Sequence, residues 1–440
     1  MDDEKQVVTE TQRGAHDDVM NDHALSGVPM TQRRSTFQLV AVAFGWAISV
    51  SGFLVGGTLG GGLRFGEGLT AILLGNVVLV VVASLVGLIG YRTGMTTYLI
   101  SRTVFGSAGS VGVSLVLGVL AMGFIGVLMD AFGNAFTALV DGVPWTVVVV
   151  AFAVAVLLTA LFGFTGLSWI SRFAAPALII LSVLGVLRLA TSSDGFSSAI
   201  NAVPQEPIPF SVGITAVIAT WITGAALTSD IARYARRARD VVLASFCGYL
   251  LGAGFFEFVA MISSNSAGTS NFVVAMSTLG LLLPAVIVLV LALWTTTDNN
   301  LYSSSLAFTN ASRLVKLNVP KPVWVVVSTL IAVGVAFLGF ASDFLSFLQI
   351  IAVVTPPLAG VVITHFWVLG HIRTAGDQSM DVPVLRVEAA VAWVATSLFA
   401  HYVDLPVAPL TALLVSGALY AALSLATGAA RRSTTASERV

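Results

Sequence analysis

The sequence predicts an all-α integral membrane protein with twelve transmembrane helices, and three observations predict it. Hydrophobic residues make up 57% of the 440-residue chain and charged residues only 10%, against about a quarter charged in a soluble domain. Apolar runs of about 20 residues, long enough to cross a bilayer, recur along nearly the whole chain. Basic residues gather in alternate breaks between these runs, which gives the spans an orientation.

The expected spans lie at 37–62, 69–90, 109–139, 143–163, 173–190, 212–229, 240–262, 281–310, 323–340, 344–370, 387–403 and 406–427. The first 36 residues carry both signs of charge and no apolar stretch, so residues 1–36 are expected to form a disordered cytoplasmic tail and not a cleaved signal peptide. Residues 37–428 form one membrane domain, followed by a short C-terminal tail over 429–440. The single cysteine, Cys247, rules out an intramolecular disulfide or a cysteine-based metal site.

Twelve spans put both termini on one side. With that side cytoplasmic, all of the 21 Lys and Arg except Arg64 and Arg188 fall in tails or inner loops, as the positive-inside rule requires. The plasma membrane is the expected location. The basic run 233–239 between the sixth and seventh spans reads as a topology determinant, not as a nucleic-acid patch.

Two spans look built to break. Glycine and serine interrupt Phe44-Gly45-Trp46-Ala47-Ile48-Ser49-Val50-Ser51-Gly52, and small and hydroxylated residues fill the sixth span from Thr220 to Thr228. The two occupy corresponding places in five-helix halves at about 37–190 and 212–370, with two extra helices at about 387–427. Paired interruptions of this kind point to an inverted-repeat transporter with its site near the midplane; close helix packing through small residues is the competing reading. In the eighth span Ala292, Thr295 and Thr296 share a face by their i, i+3, i+4 spacing. Their oxygens suit a sodium ion, although Thr hydroxyls in apolar helices also bond back to carbonyls one turn earlier.

Four stretches carry a resemblance. Gly56-Gly57-Thr58-Leu59-Gly60 with Leu73-Leu74-Gly75-Asn76, the run Gly90 to Thr97, Leu227 to Tyr234, and Leu293 to Tyr302 resemble, in order and spacing, the cytosine permeases of the nucleobase-cation-symport-1 family. The likeness extends from about Val40 to Ala426. It implies a LeuT-like five-plus-five inverted repeat working by alternating access, with sodium held by Gly45 and Ile48 of the first span and by Ala292, Thr295 and Thr296 of the eighth. It further implies a substrate lying between Phe124 and Trp221, with Thr220 and Thr223 as hydroxyl positions. Amides of the cytosine site fall on Ala121, Ala292 and Thr297, so edge contacts to cytosine are reduced; Thr297, Asn299 or Asn300 can supply substitutes.

Four acidic residues are candidates for coupling or gating. Glu257 and Asp130 lie within spans, where an ionisable side chain is costly and ordinarily faces a cavity or a partner, and the resemblance accounts for neither. Glu257 reads either as a proton site or as a structural hydrogen-bonding group. Asp298 and Asp230 match family positions, and Asp230, just before the basic loop, is placed to close an inner gate. No phosphate loop, His-Glu metal spacing or nucleophile elbow occurs, which argues against an enzyme or an ATP-driven pump. The expectation is therefore a secondary transporter importing cytosine or a related heterocycle with sodium, without other cofactor, nucleic acid or obligate protein partner. The alternatives are proton coupling, with a purine or hydroxymethylpyrimidine as substrate, and a non-transporting receptor for the same ligand.

Overall fold

The computed structural model describes residues 28–47, 49–137, 142–161, 164–204, 206–314, 316–317, 319–339, 344–370 and 382–437. In chain order the helices are α1 (Thr36–Ala47), α2 (Val50–Gly62), α3 (Phe65–Thr93), α4 (Thr97–Thr137), α5 (Trp145–Leu161), α6 (Phe164–Thr191) and the short α7 (Ser197–Ile200). There follow α8 (Phe210–Ala226), α9 (Ser229–Ala232), α10 (Ala238–Ser245), a π-helical stretch Phe246–Ala253 and α11 (Gly254–Ala267). The last are α12 (Phe272–Thr278), α13 (Leu282–Leu314), α14 (Lys321–Phe337), α15 (Phe344–Ile363), α16 (Val387–Tyr402) and α17 (Ala408–Ser437). The helices overlie the expected spans, with 37–62 falling on α1 and α2 and 240–262 on α10, the π-helical stretch and α11.

Among the described residues seven helices are long and apolar enough to cross a bilayer, or eight with α1 and α2 taken together as one bent span. The apolar helices Trp145–Leu161 and Lys321–Phe337 are shorter. Local signals account for several ends. The Arg64 N–H at the start of α3 donates to Glu67 Oε2 at 3.2 Å, while α3 stops at Gly94, which adopts φ 72°. The third span begins earlier than its apolar run because α4 continues, through a kink at Gly106 (φ 86°, ψ 174°), down to Thr97. Phe105 O, Ser107 N and Ala108 N at that kink bond the chain at 383–386, so its polar groups are satisfied in place of helix bonds.

Two tail expectations change. Residues 28–36 are tied down: Val28 N donates to Gly94 O, Arg34 N to Tyr234 O at 2.7 Å, and Thr36 Oγ1 to Asp240 Oδ1 at 2.9 Å. The ordering comes from backbone pairing with the loop after α9, a long-range contact that composition does not reveal. At the other end α17 continues to Ser437 instead of giving way to a tail at 429. Residues 1–27 lie outside the described residues.

Packing pairs α2 with α11, α3 with α8, and α4 with α13. A stripe of glycines makes the first pair close. A Cβ on Gly56 would stand 2.2 Å from Glu257 O and one on Gly60 2.4 Å from Met261 O, so the α2 and α11 backbones touch where a side chain would part them.

Candidate functional site

The first break comes where the sequence places it. Between Ala47 and Val50 the chain bends by 53° from α1 into α2, and Ser49 Oγ caps the new helix by accepting from Ser51 N at 3.3 Å. The break denies the last carbonyls of α1 their helical donors, and Ala47 O accepts instead from Ser49 N at 3.0 Å. The second break lies later than the hydroxylated run as a whole: α8 stays helical through Thr220 and Thr223, and gives way at Leu227–Thr228 before α9. Leu227 N–H bonds Thr223 O and Gly224 O in a tightened last turn.

Both breaks open on one cavity of about 190 Å³. Its wall takes Gly45 and Trp46 from α1, Ser49 and Ser51 from the bend, Tyr98, Leu117, Ala121 and Phe124 from α4, and Ala174 from α6. Thr220, Trp221, Thr223 and Gly224 come from α8, Thr295, Thr296, Asn299, Asn300 and Ser303 from α13, and Ile351 from α15. Ten of the positions singled out in the sequence thus share one cavity: Gly45, Ala121, Phe124, Thr220, Trp221, Thr223, Thr295, Thr296, Asn299 and Asn300. Trp221 is braced edge-on by Tyr249 at 6.2 Å and Phe124 leans on Phe347 at 5.8 Å, so both aromatic planes are held from behind.

Hydroxyl geometry bears on the two readings of the eighth span. Thr295 Oγ1 donates to Ala292 O at 3.0 Å, the back-bond expected of Thr in an apolar helix. That bond uses the hydroxyl hydrogen and leaves the oxygen lone pairs to accept or to ligate, so back-bonding and ion binding are compatible. Thr220 Oγ1 bonds back to Ala216 O at 2.8 Å, and the Thr223 and Thr355 hydroxyls are 3.4 Å apart.

Other singled-out residues stand elsewhere. Ala292 and Thr297 are fully buried and do not line the cavity. Ile48 lies outside the described residues. Asp130 is buried and accepts from Asn134 Nδ2 at 3.0 Å, while Asp298 is buried near Thr159 and Lys321, whose ammonium lies 3.6 Å from the centroid of the Tyr302 ring. Glu257 is buried between α2, α3 and α11, away from the cavity. Asp230 accepts from Thr97 N at 2.7 Å and so caps the N-terminus of α4, with the Ser229 and Thr97 hydroxyls 2.6 Å apart beside it. Sequence reasoning did not assign Trp46, Ser49, Ser51, Tyr98 or Ser303 to the site. For Ser303 a signal existed: it continues the three-and-four spacing from Thr295 through Asn299 along one face of α13.

A family model described as "Permease for cytosine/purines, uracil, thiamine, allantoin" matches residues 28–400. The chain belongs to this permease family. Among curated relatives of the permease is the cytosine permease of Escherichia coli (strain K12), 29% identical over 377 residues that cover 84% of this chain and 88% of the relative. The hydantoin permease of Microbacterium maritypicum is 25% identical over 393 residues, covering 83% and 79% respectively. In fold the permease is similar to Mhp1 in an inward-facing conformation, with a TM-score of 0.77 at 18% identity over 90% of this chain and 91% of that one. It is similar also to Mhp1, a nucleobase-cation-symport-1 family transporter, in a closed conformation with bromovinylhydantoin bound, with a TM-score of 0.74 at 20% identity over 90% and 93% of the two chains. The permease is accordingly a membrane transporter and not an enzyme.

Proposed function

We propose that the permease imports cytosine or a related flat heterocycle by symport with sodium, through alternating access in a twelve-span, two-repeat frame. One observation carries this reading: the carbonyl end of broken α1 and the Thr295–Thr296 face of α13 open on the same cavity as the aromatic planes of Phe124 and Trp221. A flat, uncharged heterocycle stacks on such planes. A hard cation is served by freed carbonyls and Thr hydroxyls, and the negative end of the α1 dipole favours it. Cation and substrate in one cavity can each raise the other's affinity, as symport requires.

Further support comes from the pairing of helices. Exchange of the two halves turns the α2–α11 contact into the α8–α3 contact and maps the α4–α13 contact onto itself, as an inverted repeat demands. The cavity also continues past Leu117, Ser303 and Ala307 to Tyr98, at the end of the molecule that carries the basic loops. Under the positive-inside rule that end is cytoplasmic, which puts both termini on the cytoplasmic side of the plasma membrane.

The test is uptake into proteoliposomes of labelled cytosine, uracil, adenine and hydroxymethylpyrimidine under imposed sodium or proton gradients. Accumulation driven by sodium is expected, with Thr295→Ala and Thr296→Ala each raising the sodium concentration for half-maximal uptake. Uptake driven by protons alone would replace sodium as the coupling ion, and binding without accumulation would mark a receptor.

A further inference from the structure

Glu257 on α11 and Asn76 on α3 are fully buried and neither lines the substrate cavity. Asn76 Nδ2 donates to Ile72 O at 2.9 Å and to Glu257 Oε2 at 2.6 Å, which uses both amide hydrogens. Two oxygens are left over: Glu257 Oε1 and Asn76 Oδ1, each buried and without a hydrogen-bond partner. They are the second atoms of two planar groups already joined through Oε2 and Nδ2. An ionised carboxylate only accepts, so with Glu257 charged both oxygens would remain unsatisfied in a dry interior. One hydrogen on Oε1, donated to Oδ1, would satisfy both and close an acid–amide ring of two hydrogen bonds.

Among the described residues, the elements packed on α11 bring no cationic side chain into contact with Glu257. Of the elements packed on α11, α2, α7 and α12 have no titratable residue, and the π-helical stretch has Cys247 and Tyr249, whose hydroxyl is directed to Thr228 at 3.4 Å. Titratable residues of α3 stand in its end turns, Glu67 at one and Tyr91 and Arg92 at the other, and α6 carries Arg172 and Arg188. A Cβ on Gly52 would stand 3.7 Å from Glu257 Cγ, so α2 lies close against the side chain as well. We infer that Glu257 is a proton-binding site, occupied in this conformation, whose proton joins α11 to α3 through Asn76 at a place distinct from the substrate cavity.

Infrared difference spectroscopy of the purified permease in lipid tests this at neutral pH. The C=O band of a protonated carboxyl group should be present in the unsubstituted protein and disappear in Glu257→Gln, whose amide preserves both ring bonds and the fold. The exchange Asn76→Asp with Glu257→Gln, which swaps acid and amide, should restore the band. An identical spectrum for the unsubstituted protein and Glu257→Gln, or a band unmoved by all these changes, would overturn the inference. Should Glu257→Gln fail to fold, the exchanged pair decides: a folded protein with the band supports the site, and a folded protein without it refutes it. This readout needs no transport, so it stands or falls separately from sodium symport.

Discussion

Trp221 and Thr297 illustrate how differently two predicted site residues are placed. Trp221 lies on the cavity wall with Tyr249 behind it, so Trp221→Ala removes a stacking plane that every flat substrate would use. Equilibrium binding on purified protein should then be lost for all four heterocycles alike, and loss for one alone would contradict a shared stacking role. Discrimination falls instead to the base edge. Ala121 lines the cavity at a position where the family resemblance expects an amide, and Asn299, Asn300 and Ser303 of α13 line the same cavity. Cytosine is therefore expected to bind less tightly than another heterocycle of the series; cytosine tightest by tenfold, about 1.4 kcal/mol, would refute this. Thr297, with its hydroxyl buried and unpartnered, predicts a different outcome. Thr297→Val removes an unsatisfied polar group, which should leave binding unchanged and raise thermal stability by about 1 kcal/mol.

For whole helices the decisive feature is how closely backbones approach. Gly56→Ala would drive a Cβ into Glu257 O and separate α2 from α11. Overpacking of this kind costs about 1–3 kcal/mol, and a matching drop in thermal stability of the detergent-solubilised protein is expected. Gly112→Ala on α4 is the control: nothing lies within 4 Å of the added Cβ, so this substitution should be neutral or slightly stabilising. If both variants behaved alike, the glycine seam would not be the contact that holds this pair. The break between α1 and α2 was legible because Gly45, Ser49, Ser51 and Gly52 are weak residues for a lipid-crossing helix. The kink at Gly106 was not, because its stability comes from Pro383 O and Val384 O, nearly 280 residues further along the chain.

Across the molecule, Asp230 links the two halves of the chain. From the short helix after the sixth-span break it caps α4, so the segment after α8 is fastened to the start of a long helix in the other half. Asp230→Asn keeps an acceptor but loses the charge that favours a helix N-terminus, an interaction of about 0.3–1 kcal/mol, enough to shift a two-state balance severalfold. With Cys247→Ala as background, a thiol reagent acting on Ser303→Cys reports access to the cavity from the inner side. Its labelling rate should change in Asp230→Asn while substrate affinity in either state changes less; an unchanged rate would remove Asp230 from the gate.

The sequence by itself determined the class of the protein, the positions of its helical segments, the first broken helix and part of the cavity lining. The class, the helix positions and the first break follow from local physics, from apolar length and helix-breaking residues, and Thr295 and Thr296 from helical spacing; Ala121, Phe124, Thr220, Trp221 and Thr223 came from the family resemblance. Only the tertiary structure decided that Thr297 and Ala292 turn away from the cavity, that residues 28–36 are pinned to the loop after α9, and that Glu257 meets Asn76. Those outcomes depend on which helix faces are brought together over long chain separations, and a side chain's partner across such a contact leaves no periodic trace in its own segment.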